Sequence, residues 1–256
     1  MLTILDEEFA PTTSCAVFVN APLERITTFE TERERTRLER NKDRPERERI
    51  HGPATVAVEP LNSDLAELLG RLDPLDMGPE ATMELLAETG GGRWTALFDS
   101  SAADPAVDRA VGVLAEQLGT RGVVAAWRPH PAGTEAEEVD ADGQYLDEDA
   151  LGGAGVTGFA ITDPSAGPPD FYLRQLHAEY AYDQWEFTDD GEYLDFEDPA
   201  AYELQRIPDR LTPERVVAYC RALGIDPFNA QFYGPRAVLL RRPAEPFDRV
   251  PRNRWP

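Results

Sequence analysis

The chain has 256 residues, 41% of them hydrophobic and 29% charged, with a formal net charge of −23. That balance describes a folded chain with charged loops, long enough to bury a sizeable core. Its charge argues against binding to phosphate backbones or anionic lipid, so neither a nucleic acid nor a membrane is expected as a partner.

No stretch approaches about 18 consecutive apolar residues, the length a membrane helix needs. The first twenty residues lack a basic segment followed by a long apolar one, so no secretory signal is read. The two cysteines, Cys15 and Cys220, are far apart and outside any CxxC pattern. Packed, reduced thiols in a cytoplasmic protein are the expectation.

In chain order, SCAVFVNAP (14–22) predicts a buried strand that stops at Pro22, with a helix from Leu23. Residues 30–49, ETERERTRLERNKDRPERER, alternate seven acidic with eight basic residues. Glu30/Arg33, Glu32/Arg35 and Glu34/Arg37 are three apart and face each other on a helix. Leu38 alone is apolar in the run, so an exposed, self-neutralising helix is expected, fraying before Pro45. ATVAVEPL (54–61) predicts a second strand, and DLAELLGRL and PEATMELLAE two short helices. TGGGR (89–93) breaks the pattern.

WTALFDS (94–100) predicts a strand, and GVVAAW (122–127) its return. Between them runs a helix capped by Asp104, with Pro105 first and Gly119 past its end. Val107, Val111, Leu114 and Leu118 share one face of that helix. This strand–helix–strand unit, beside a similar one over 15–60, suggests a ferredoxin-like arrangement. Residues 129–155 turn to Pro, Gly and acid and read as a loop.

Beyond the loop, VTGFAITD and FYLRQLHAEYAYDQWEF predict strands, with an Asp-Gly hairpin turn at TDDGEY. Alternation puts Leu176, Ala178, Tyr180 and Tyr182 on one face and His177, Glu179, Ala181, Asp183 and Trp185 on the other. Two helices follow. One has Asp198 as cap and Pro199 first, and the other has Thr212 as cap, Pro213 first and Gly224 as stop. PRAVLLRR (235–242) predicts a closing strand before a Pro-rich, irregular tail. The fold class is thus α+β. Residues 1–130 form an N-terminal α/β half, 131–155 an acidic Pro/Gly loop, and 156–256 a C-terminal hairpin plus helices, packed as one globular unit.

Four patterns bear on chemistry. Glu138, Asp140, Asp142, Gly143 and Asp149 fall at positions one, three, five, six and twelve of a calcium loop. The flanks PHPAGT and ALGGAG cannot form the helices that loop requires, so an acidic surface loop is expected there. Gly153-x-Gly155-x-x-Gly158 has dinucleotide-loop spacing, but a strand follows it where a helix is needed. His177 and Glu179 share a strand face, where an acid–base pair would sit. A half-exposed histidine beside a glutamate is the simpler reading, and no cofactor is implied. Finally, DDGEYLDFED (189–198) holds Asp189, Asp190, Glu192, Asp195, Glu197 and Asp198.

Three segments carry a resemblance: RWTALFDSS (93–101), LGTRGVVAAWRPH (118–130) and the stretch from QWEF to FYGP (184–235). They resemble a set of uncharacterised actinomycete proteins, most densely in the last third. The motif looks like a helical pair carrying Arg206, Asp209, Arg210, Tyr219 and Gly224 and ending at Phe232-Tyr233-Gly234. The resemblance implies no activity and carries over no catalytic residues. The expectation is a non-catalytic interaction protein, of inhibitor or immunity type, whose six acids at 189–198 meet a basic partner. The alternatives are an enzyme built on His177, Glu179 and those acids, and an assembly component docking through 30–49.

Overall fold

The computed structural model describes residues 9–42, 56–76, 81–101, 107–128, 155–167, 171–181, 184–242 and 249–251. The chain runs β1 (Cys15–Val19), α1 (Leu23–Lys42), β2 (Ala57–Asn62), α2 (Leu65–Gly70), β3 (Leu75–Asp76), β4 (Met83–Thr89) and β5 (Thr95–Asp99). It continues through α3 (Val107–Leu118), β6 (Gly122–Arg128), β7 (Val156–Thr162), β8 (Tyr172–Ala181) and β9 (Gln184–Gly191). It closes with α4 (Pro199–Tyr202), α5 (Ile207–Arg210), α6 (Pro213–Ala222), β10 (Tyr233–Arg241) and β11 (Arg249–Val250). The class is α+β. No helix of the described residues is long and apolar enough to cross a membrane.

Among the described residues, nine strands form one antiparallel sheet in the order β2-β10-β4-β5-β1-β6-β7-β8-β9. Helices cover both faces. Cys15, Val17 and Val19 pack with Leu23 and Ile26 of α1 and with Val111, Leu114 and Leu118 of α3. Ala16 and Phe18 point the other way, into a larger core with Leu65, Leu68 and Leu69 of α2 and with Tyr202, Val216, Tyr219 and Cys220. A strand covered on both sides needs apolar residues at every position, which is why β1 reads as a continuous apolar run.

The same demand overturns the helix expected over 79–88. Met83–Thr89 is β4, flanked by β10 and β5. Leu85 and Ala87 enter one core and Leu86 the other. Helix propensity is a weak prior, and burial on both faces outweighs it here.

The two strand–helix–strand units do not close on each other as residues 15–60 suggested. Strand β2 lies at the sheet edge, separated from β1 by β10, β4 and β5. The β5–α3–β6 unit is split, with β1 inserted between its strands. Strand β10, from the C-terminal half, pairs with β2 and β4 of the N-terminal half, so both halves share one sheet. The tail is not wholly irregular, because β11 pairs with β3. Asp104, Pro105 and the acidic loop with Glu138, Asp140, Asp142 and Asp149 lie outside the described residues.

Thr212 caps α6 through its side chain, which accepts from Arg215 N. Asp198 precedes Pro199 but makes no side-chain cap bond. Gly119 (φ +59°) and Gly224 (φ +78°) end their helices in the left-handed region, as expected of helix stops.

Candidate functional site

The β8–β9 hairpin reverses between Ala181 and Gln184, not at Asp190-Gly191. Directly paired residues share a face. Tyr180 pairs with Trp185, and their rings meet edge-on with centroids 5.7 Å apart. Trp185 therefore lies on the face of Leu176 and Ala178, and His177 on the opposite one with Thr188. The earlier face assignment failed because a reversal after Ala181 inverts the parity of everything beyond it.

His177 Nδ1 lies 3.5 Å from Glu179 Oε2, with both side chains partly exposed. That is long for a hydrogen bond. The imidazole sits over Gly158, where a Cβ would come within 3.2 Å of His177 Cδ2. Gly158 thus makes room for the ring. It lies inside β7, which rules out a dinucleotide loop at 153–158.

Two of the six acids at 189–198 are used internally. Arg174 projects inward from β8 and is fully buried. Its Nε and Nη2 donate to Glu197 at 2.9 and 2.7 Å, and its Nη1 donates to Asp189 at 2.6 Å and to the Asp190 carbonyl at 2.8 Å. The Glu197 side chain is itself fully buried. It also accepts from Leu194 N and from the Tyr202 hydroxyl, which lies 2.9 Å from that of Tyr219.

Burial alone would lower the Arg174 pKa, but its bonds to Glu197 and Asp189 outweigh that and raise it. Burial and the bonds to Tyr219 and Glu197 push the Tyr202 hydroxyl well up. The Tyr193 ring lies 4.9 Å from the guanidinium carbon. Glu197 therefore has no surface to offer a partner, and Asp189 is partly committed. Asp190, Glu192, Asp195 and Asp198 remain exposed, with Asp198 lying 3.8 Å from Arg215.

Sequence reasoning missed Arg174. Its signal was present, because it is a charged residue in phase with Leu176 and Ala178 on the inward face of β8. The Arg206/Asp209/Arg210 group acts within its own segment and reaches β9 once, where the Arg210 guanidinium lies 5.5 Å from the Phe187 ring. Arg206 and Asp209 are 3.6 Å apart at one end of α5, and Arg210 Nε donates to the Leu204 carbonyl.

A second arginine-centred cluster explains the charged strip. Leu23, Ile26, Glu30 and Glu34 are all buried, and they fall at helical spacing along α1. The inward stripe switches from apolar to carboxylate without leaving its face. Arg33 Nη2 lies 2.7 Å from Glu30, and Arg37 Nε lies 2.8 Å from Glu34. Arg242, at the end of β10, lies 3.4 Å from Glu30 and 3.2 Å from Glu34, and pairs with buried Glu84 of β4. The expectation of a purely solvated helix is corrected, since its distal part docks through ion pairs. Burial and the Glu84 carboxylate push Glu30 up to about 7. Glu30 Oε1 has no hydrogen-bond partner among the described residues.

A third polar knot surrounds buried Asp76. Its Oδ2 accepts from Thr82 N at 2.8 Å, from Thr82 Oγ1 at 2.7 Å and from Ser100 Oγ. It joins β3 to the ends of β4 and β5. Cys15 and Cys220 are buried thiols not joined in a disulfide, and burial pushes Cys220 far up, away from a reactive thiolate.

Among the described residues no three His, Cys, Asp or Glu are placed to hold a metal ion. No family model, curated protein or solved structure matches this chain.

Proposed function

We propose that this protein is a non-catalytic interaction module that captures a basic protein through the acidic end of its sheet. One observation carries the reading. Arg174 consumes Glu197 and fixes Asp189, while Asp190, Glu192, Asp195 and Asp198 stay exposed on the frame that Arg174 anchors. Held rigidly, these carboxylates need little ordering on association, which favours binding. A net charge of −23 draws a cationic partner toward the molecule and speeds encounter. A cytoplasmic setting suits two buried thiols, Cys15 and Cys220, that are not joined in a disulfide.

Two charge-matched double variants test the proposal against an eight-residue oligoarginine probe. Asp190→Lys/Asp195→Lys reverses the proposed surface, and Glu116→Lys/Glu214→Lys reverses exposed carboxylates on α3 and α6. Calorimetry at low salt should show at least tenfold weaker binding for the first pair than for the second. Equal weakening would reduce the effect to net charge and reject the site.

A further inference from the structure

Resting on that reading, we infer that the partner contributes an extended strand that adds to β9, with basic side chains at alternate positions.

Strand β9 ends the sheet, and among the described residues it pairs with β8 alone. Its register with β8 is unbroken over eight pairs, from Arg174↔Gly191 to Ala181↔Gln184. It holds no proline and no basic residue. The opposite edge is built differently. Strand β2 carries Pro60 at its middle, and Glu59 pairs there with Arg71 and Arg241. Proline and charged side chains are devices that close an edge to further pairing. Strand β9 has no proline, and its charges are all acidic, so its outer edge repels an acidic strand but is fit for addition of a basic one.

The faces of β9 set the occupant. Glu186, Thr188 and Asp190 share one face, and Glu186 lies directly across from Glu179. Like charges facing each other in a ladder repel, and a basic side chain on an added strand would relieve them. Trp185 and Phe187 share the other face, both half-buried. An added strand would therefore present Arg or Lys on one side and apolar residues on the other. A second copy of this chain fits badly, because antiparallel β9 strands would bring Glu186, Asp189 and Asp190 against one another.

The experiment uses the full chain and two peptides of identical composition. One alternates arginine with valine over eight residues, and the other groups four arginines before four valines. Nuclear magnetic resonance should show the alternating peptide binding at least tenfold tighter, with shifts in the backbone amides of 184–191. Methylating the amide nitrogens on one edge of that peptide should abolish the difference, and Glu186→Lys should abolish binding. Equal affinity for both peptides, with shifts confined to 190–198, would overturn strand addition and leave the acidic-surface reading standing. Binding of neither peptide would overturn both.

Discussion

Arg174 and Glu197 are buried together with no exposed side-chain surface, joined by two short bonds from Nε and Nη2. Strand β8 supplies the arginine, and the segment before α4 supplies the glutamate. The pair fixes the sheet edge to the C-terminal helices. Breaking a buried pair by removing one partner strands the other charge in a low-dielectric site. Glu197→Ala should cost about 3–5 kcal/mol in chemical denaturation. Arg174→Met/Glu197→Leu should be much less damaging than the single change, because no charge is left alone.

Glu30 makes stability depend on pH near neutrality. Its carboxyl is pushed up to about 7 by burial first and by Glu84 second. Between its ordinary range and that value the folded chain holds a proton that the unfolded chain releases. Stability from this group is thus complete at acid pH and falls as pH rises through about 7. Glu30→Gln imitates the protonated form. It should be more stable than the native chain at pH about 8, by about 1–3 kcal/mol, with the advantage vanishing below pH about 5. Urea denaturation across that range measures the difference.

Asp76 accepts three hydrogen bonds on one buried oxygen. Asp76→Ala would leave the Thr82 amide and two hydroxyls without that acceptor. Each lost bond of this kind costs about 1–3 kcal/mol when the group stays dry. The thermal midpoint should drop sharply, and Asp76→Asn should lie between the two.

Gly191 sits at φ +90°, and a Cβ there would overlap the Leu173 carbonyl oxygen. Gly191→Ala should destabilise by about 1–3 kcal/mol, the usual range for forced left-handed strain. Amide exchange should rise at the end of β9 more than in β1.

Much of the fold was legible in local sequence. Strand β1, the β5–α3–β6 unit, β7 and α6 each carry an apolar run or a cap, features whose physics is contained within a few residues. Strand β4 was not legible, because Met-Glu-Leu-Leu-Ala-Glu favours a helix until neighbours on both sides demand a strand. The placement of β2 depends on β10, about 170 residues later, and no local pattern encodes that. The acids at 189–198 were visible as a cluster, but their division into buried and exposed members is set by Arg174. The charged strip misled for a similar reason. Its inward carboxylates find Arg242 only once the sheet has formed.

Strand β10 fills the gap between β2 and β4, and Arg242 follows it directly. On the ribosome, two of the earlier strands must therefore wait with open hydrogen-bonding edges until residues 233–241 have emerged. Glu30, Glu34 and Glu84 wait too, lacking the guanidinium that later settles among them. Such distant pairings slow folding and prolong the exposure of sticky edges. A nascent chain halted shortly before residue 233 would be a target for chaperones, with its N-terminal sheet left unfinished.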